Sequence, residues 1–247
     1  MDRYAELFAR KDGVFVPFFM LGDPSYEESK RIINQAIAAG ADALELGISF
    51  SDPVADGPTI QRAHIRAADT TPTKALELVG EIRAEHPTVP IGLLVYGNVA
   101  FSMGFGEFYE ALKIAGADSV LIPDVPVRES EPFRAAAKKH GIKQVFIAPP
   151  HASQETLAMV AEHSEGYIYA VSRDGVTGTE REATFEAVPQ SDTPVLLGFG
   201  ISTPEHVKAA RHAGADGVIV GSALVKLIEA GQQDQISHHI AEFKSAL

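Results

Sequence analysis

A carboxylate inside an apolar run is the first sign of chemistry in this sequence. Glu45 lies within Ala-Leu-Glu-Leu-Gly-Ile at 43–48. Side chains alternate along a strand, so Leu44, Leu46 and Ile48 share a face suited to packing on helices. Ala43, Glu45 and Gly47 share the other face, which points inward in a closed sheet, and the two small residues leave room beside the carboxyl. Desolvation there raises a carboxyl pKa toward neutrality, as a general acid or base requires. The competing reading is a buried Glu held by a structural partner. Two aspartates follow: Asp52 in Ser-Asp-Pro and Asp56 in Ala-Asp-Gly-Pro. Each also reads as a turn or helix-capping residue, and spacing alone does not choose between them.

Glycines mark a second chemical feature. Gly198-Phe199-Gly200 runs into Ile201-Ser202-Thr203-Pro204-Glu205, where Ser202 and Glu205 make a capping-box pattern for a helix start. Gly221-Ser222 precedes another helical segment. Glycines at helix N-termini let backbone N–H groups approach a phosphate without help from Lys or Arg, although turns also need glycine. Gly175-Val176-Thr177-Gly178 offers further N–H groups and a hydroxyl, or equally the hinges of a lid that Arg173 and Asp174 could pin. Tyr96 and Tyr169 stand near strand ends, either lining a pocket or packing a core. The nine histidines show no metal-ligand spacing. His140, His163 and His212 fall at helix ends, where a cation complements the dipole, and His238 and His239 fall in the tail; all nine read as structural or solvated.

Holding these residues in place needs a scaffold, and the sequence predicts one. Strand patterns occur at 14–21, 43–48, 91–96, 119–122, 144–147, 167–171, 195–198 and 217–220. Helical patterns lie between them at 26–39, 73–85, 108–115, 132–140, 154–163, 204–213 and 223–230. Repeated βα units mean a parallel sheet, and eight strands close a (β/α)8 barrel of TIM type. Gly-Ala-Asp occurs at 40–42, 116–118 and 214–216, each time after an Ala-rich helix and before a strand. These triplets read as αβ loops at the barrel bottom, with glycine at the helix C′ position. Tyr4, Leu7 and Phe8 form the stripe of an extra N-terminal helix covering one barrel mouth. Ile236, Ile240 and Phe243 mark an amphipathic tail at 232–247. No linker divides the chain, so residues 1–247 are expected to form a single barrel domain. Long loops after strands 2 and 6 lie at the C-terminal ends of strands, where barrel active sites are built.

Bulk composition narrows the function. The chain has 247 residues, 45% of them hydrophobic, no cysteine and a formal net charge of -12. The lack of cysteine removes disulfides and thiolate chemistry. The acidic balance argues against nucleic acid and anionic membranes as partners. No signal-type or membrane-spanning run is visible, and the expected compartment is the cytoplasm.

Taken together, these residues resemble the tryptophan synthase α-subunit family along nearly the whole chain. The most specific stretch is ELGISFSDPVADGPTIQ at 45–61; VPFFMLGDP at 16–24, SRDGVTG at 172–178 and GFGIS at 198–202 match in the expected order. The resemblance implies a lyase of tryptophan biosynthesis that splits indole-3-glycerol phosphate into indole and glyceraldehyde 3-phosphate. It puts Glu45 at the acid/base glutamate and Asp56 at the aspartate bonding the indole N–H. The backbones of Gly178, Gly200, Gly221 and Ser222 fall on phosphate contacts. Phe18, Leu94, Tyr96, Tyr169 and Phe199 fall on pocket positions, and Thr177 on the lid threonine that meets the aspartate. It implies no metal or organic cofactor for this step. The implied partner is the pyridoxal-phosphate β subunit, in an α2β2 assembly.

The sequence departs from the family pattern at two places. Position 49 is Ser where Pro is usual, which loosens the loop after strand 2. The segment from Gly178 to Val195 is short, which puts lid closure and signalling to the partner in doubt. Rival readings are a free-standing indole-3-glycerol-phosphate lyase, a sugar-phosphate isomerase or epimerase on the same barrel, and a catalytically silent allosteric partner. The aromatics Phe18, Tyr96 and Phe199 favour an aromatic substrate over a sugar phosphate, and the presence of both carboxylates argues against a silent barrel.

Overall fold

Eight short strands pair in chain order, every neighbour parallel, and the last closes on the first. The computed structural model describes residues 2–171 and 191–247. The strands are β1 (Val14–Met20), β2 (Leu44–Gly47), β3 (Ile91–Leu94), β4 (Ser119–Leu121), β5 (Lys143–Ala148), β6 (Ile168–Val171), β7 (Val195–Gly198) and β8 (Gly217–Val220). Closure is a four-residue register from Val14↔Gly217 to Pro17↔Val220. Around them stand α1 (Arg3–Arg10), α2 (Tyr26–Ala38), α3 (Pro58–Arg66), α4 (Pro72–Glu85), α5 (Gly97–Met103), α6 (Phe105–Ala115), α7 (Glu131–His140), α8 (Gln154–His163), α9 (Pro204–His212), α10 (Ser222–Glu229) and α11 (Ile236–Ser245). This is the (β/α)8 TIM barrel expected, with its extra N-terminal helix.

Alternation along the strands sorts side chains into two cores. Leu44, Leu46 and Ile48 pack outward with Phe15, Phe19 and Leu93 against the helices. Ala43, Val14, Val16, Leu121, Val145, Tyr167, Leu196 and Ile219 fill the barrel. Tyr4 and Leu7 of α1 belong to that inner group, so α1 plugs the bottom mouth. The Tyr4 hydroxyl shares a hydrogen bond with Ser119 Oγ at 2.8 Å, and its ring lies 5.6 Å from that of Tyr167.

The three Gly-Ala-Asp triplets serve one structural purpose. Gly40, Gly116 and Gly214 have φ of 106°, 81° and 96°, the left-handed turn that ends a helix. The aspartate two residues on then accepts an N–H from the first or second residue of the neighbouring strand. Asp42 Oδ2 takes Phe15 N–H at 2.9 Å, Asp118 Oδ2 takes Ile91 N–H at 2.8 Å, and Asp216 Oδ2 takes Val195 N–H at 2.7 Å. Asp118 also pairs with Arg3 and Arg83, each at 2.7 Å.

Some local expectations shift. Helix α3 follows Asp-Gly-Pro, which reads as a turn; Pro58 is instead the first helical residue, where its missing N–H costs nothing. Helix α5 opens on Gly-Asn, poor helix formers, and had no counterpart in the sequence pattern. Strand β3 stops at Leu94, and Tyr96 is the N-cap of α5 rather than a strand residue. The tail helix starts at Ile236 after a single 3-10 turn.

Asp118→Ala leaves the Ile91 N–H, Arg3 and Arg83 without their shared acceptor. It should lower stability by about 2–4 kcal/mol, seen as a lower urea midpoint at unchanged slope. A loss below about 0.5 kcal/mol, the range of an ordinary surface substitution, would mean the clamp contributes little.

Candidate active site

Glu45 sits mid-strand in β2, between Phe18 of β1 and Gly92 of β3 in register, and is 2% exposed. The only side chain bonding it among the described residues is Tyr167, whose hydroxyl donates to Oε1 at 3.2 Å. Burial pushes the carboxyl up to about 8, and the negative charge of Asp56 pushes the same way; the Tyr167 hydroxyl acts against both. Glu45 therefore carries a proton at neutral pH. Gly47, on the same face of β2, leaves its side-chain position to neighbours. A Cβ at Gly47 would come within 2.9 Å of Phe18 Cζ and Met20 Cε.

The structure separates the two aspartates that spacing left equal. Asp52 is exposed and bonds its neighbour Ser51. Asp56 is 6% exposed, turned inward by a bond from its N–H to the Pro53 carbonyl at 3.1 Å. Its Oδ2 accepts from the Tyr96 hydroxyl at 2.8 Å and faces His64 Nε2 at 3.1 Å. The Tyr96 oxygen in turn accepts Ala55 N–H at 3.0 Å, and Phe50 stacks on the Tyr96 ring at 5.2 Å.

Aromatic and apolar walls surround the two carboxylates. Tyr169 and Phe199 meet edge to face at 6.0 Å. Phe18, with Ile60, Ala63 and Val225, forms one wall, and Leu94 touches both this group and the inner core. Gly198 is obligatory, because a Cβ there would lie 2.1 Å from the Tyr169 hydroxyl. Phe199 holds φ 54°, a strained value for a bulky residue, and Gly200 follows at 82°.

The two helix N-termini near these glycines differ. Helix α9 is capped by Thr203, whose side chain accepts His206 N–H at 3.3 Å, so the cap falls one residue beyond the expected Ser202. Helix α10 begins at Ser222 with Gly221 as N-cap and, among the described residues, has no side-chain cap bond. A Cβ on Gly221 would lie 3.4 Å from Phe18 Cβ, so this helix start opens onto the same pocket wall. Uncapped N–H groups at the positive end of a helix dipole suit a phosphate. Thr177 and Gly178, with Arg173, Asp174 and Gly175, lie outside the described residues.

Sequence reasoning missed two neighbours of the carboxylates. Tyr167 precedes β6 and shares a face with Tyr169, so alternation carried its signal. His64 lies on the helical stripe of Ile60, Ala63 and Ala67; the reading of the histidines as structural or solvated names no partner for it, and the structure gives it Asp56. His140, His163 and His212 do end α7, α8 and α9. Among the described residues no three His, Asp or Glu side chains stand together as metal ligands would.

Residues 4–246 match the family model described as tryptophan synthase alpha chain. A tryptophan synthase alpha chain of Corynebacterium diphtheriae is 58% identical over 243 residues, covering 93% of this chain and 87% of the relative. Tryptophan synthase subunit alpha of Legionella pneumophila superposes with a TM-score of 0.87 at 30% identity, covering 100% of this chain and 98% of that one. A chain from a structure of the a2b2 complex of Pyrococcus furiosus, titled for its mutual activation, superposes at 0.85 with 34% identity, covering 95% and 99%.

The raised Glu45 pKa has a stability consequence. The folded chain keeps this proton at pH values where the unfolded chain, near 4.5, has lost it. Stability is therefore full below that value and falls as pH rises through the window up to about 8. Glu45→Gln has no proton to lose. Its stability relative to wild type should climb through that window by up to several kcal/mol, measured by urea unfolding at about pH 5, 7 and 9. A pH-independent difference would show that Glu45 is ionised in the fold.

Proposed function

We infer the chemistry of this site from one premise: the chain belongs to the tryptophan synthase alpha chain family. It is a lyase of tryptophan biosynthesis, cleaving indole-3-glycerol phosphate to indole and glyceraldehyde 3-phosphate. The roles of individual residues are our proposal, and one observation carries it: a buried Glu45, its carboxyl pushed up to about 8, and a buried Asp56 whose Oδ2 meets both the Tyr96 hydroxyl and His64 Nε2.

The bond to break joins indole C3 to the glycerol chain. Glu45 delivers its proton to C3, forming a cation delocalised to the ring nitrogen. Asp56 accepts the indole N–H and stabilises that charge. The Glu45 carboxylate then takes the proton from the hydroxyl on the adjacent glycerol carbon. That carbon becomes the aldehyde, the C–C bond breaks, and its electron pair returns to indole C3. Glu45 ends protonated, ready for another turnover. Phe18, Leu94, Tyr96, Tyr169 and Phe199 enclose the indole. Backbone N–H groups of Gly178, Gly200, Gly221 and Ser222 hold the phosphate end, and Thr177 is the lid threonine that meets Asp56.

The partner follows from the family: a β subunit that receives the indole, in an α2β2 assembly. The barrel, residues 1–247, acts as one domain. No helix among the described residues is long and apolar enough to cross a membrane. The chain's place is the cytoplasm, with no nucleic-acid partner.

The test is indole release from indole-3-glycerol phosphate, with and without a β subunit. Glu45→Gln should lose roughly 10²–10⁴-fold in kcat while still binding the phosphate product. Asp56→Asn should lose roughly 10²–10³-fold. Turnover within a few-fold of wild type in either variant removes that residue from the mechanism. Wild-type activity should rise sharply on adding the β subunit; fast release by the chain alone would identify a free-standing lyase. Because Glu45 donates first, kcat/KM should decline above about pH 8.

A further inference from the structure

His64 is 4% exposed, on the face of α3 that packs inward with Ile60, Ala63 and Ala67. A neutral imidazole has one N–H and one lone pair, and its surroundings decide which nitrogen has which. Phe50 N–H donates to Nδ1 at 3.0 Å, so Nδ1 supplies the lone pair. The proton is then on Nε2, which points at Asp56 Oδ2 from 3.1 Å. Moving it to Nδ1 would set two hydrogens against each other. The same Oδ2 receives the Tyr96 hydroxyl at 2.8 Å. Donors from two separate elements on one oxygen hold the carboxylate plane.

The backbone of His64 is gripped as well. Ser49 Oγ–H donates to the His64 carbonyl at 2.9 Å, in the last turn of α3, where carbonyls lack helical partners. Consecutive loop residues, Ser49 and Phe50, thus hold the carbonyl and the ring of one histidine. A proline at 49 would have no hydroxyl for this bond. In this chain the loop after β2 is stiffened by hydrogen bonds to His64 rather than by a proline ring.

We propose that His64 is a positioning residue for Asp56: fixed as the Nε2–H tautomer by Phe50, with its backbone held by Ser49, it commits Oδ2 so that Oδ1 meets the ring N–H of the indole. This rests on the role given to Asp56 above. The substrate touches Asp56 and not His64.

Asparagine and glutamine each keep half of the imidazole. Asn sets an amide oxygen near Nδ1, able to accept from Phe50. Gln sets an amide N–H near Nε2, able to donate to Asp56. Both variants are assayed for cleavage of indole-3-glycerol phosphate with the β subunit present, alone and on the Asp56→Asn background. His64→Asn should lower kcat roughly ten- to hundredfold, the worth of a bond to a charged acceptor, with KM within about twofold. His64→Gln should restore most of kcat. On Asp56→Asn, neither variant should lower the rate further by more than about twofold, because the partner is already altered. In wild type, ¹⁵N spectra of labelled histidine should show the Nε2–H tautomer for His64.

A His64→Asn kcat near wild type overturns the proposal. So does an equal loss in both variants that follows a shared drop in melting temperature, or an Nδ1–H tautomer. The failures are distinguishable: an active Asp56→Asn removes the role of Asp56 itself, whereas an inactive Asp56→Asn beside a fully active His64→Asn removes only that of His64.

Discussion

Burying the Glu45 carboxyl in the barrel makes its ionised form expensive, and much of the structure is arranged around that expense. Proton transfer to carbon needs an acid whose proton is held at neutral pH yet given up on demand. Water would defeat this by solvating the carboxylate. The barrel wall, the α1 plug and the apolar faces of Tyr167, Tyr169 and Phe18 keep the place dry. Tyr167 then supplies a single hydrogen bond to Oε1, enough to orient the group without offsetting the burial.

Asp56 is handled in the opposite manner. Tyr96 and His64 both approach its Oδ2, and the Tyr96 oxygen is itself steadied by Ala55 N–H. A carboxylate meant to face a developing cation gains from donors that fix it in advance, because no reorganisation is then needed during the reaction. The two groups also act on each other. The charge of Asp56 adds to the burial that raises the Glu45 pKa, so the group proposed to stabilise the cation also favours the protonated form of the proposed acid. Two carboxylates within one pocket thus meet surroundings suited to the two different tasks proposed for them.

Much of this was legible in the sequence, for local reasons. β7 and β8 were predicted to the residue because Pro or Gly bounds them closely. The inward face of Glu45 follows from period two. The bottom loops follow from Gly-Ala-Asp, since glycine must end those helices. What could not be read was tertiary. Asp52 and Asp56 sit in equivalent turn signals, and the partner that distinguishes Asp56, Tyr96, lies 40 residues away. Helix α3 was hidden because its first residue is also a turn former. With it went His64, whose place on the stripe of Ile60, Ala63 and Ala67 could have been counted, though its bond to Asp56 could not.

The two ends of the barrel are commonly assigned separate duties, stability below and chemistry above. The bottom does hold the fold: Asp42, Asp118 and Asp216 pin strand starts, while the left-handed Phe199 lies at the other end. Yet the division is incomplete. The Tyr4 ring of α1 packs on Tyr167, and Tyr167 is the residue bonded to Glu45. Tyr4 also ties itself to Ser119, beside Gly92, the β3 neighbour of Glu45. Helix α1 therefore does more than close a mouth. By sealing the interior it sets the medium in which Glu45 titrates, and through one tyrosine pair it touches the group that orients the acid. A plug at the stability end is thereby part of the electrostatics at the chemical end.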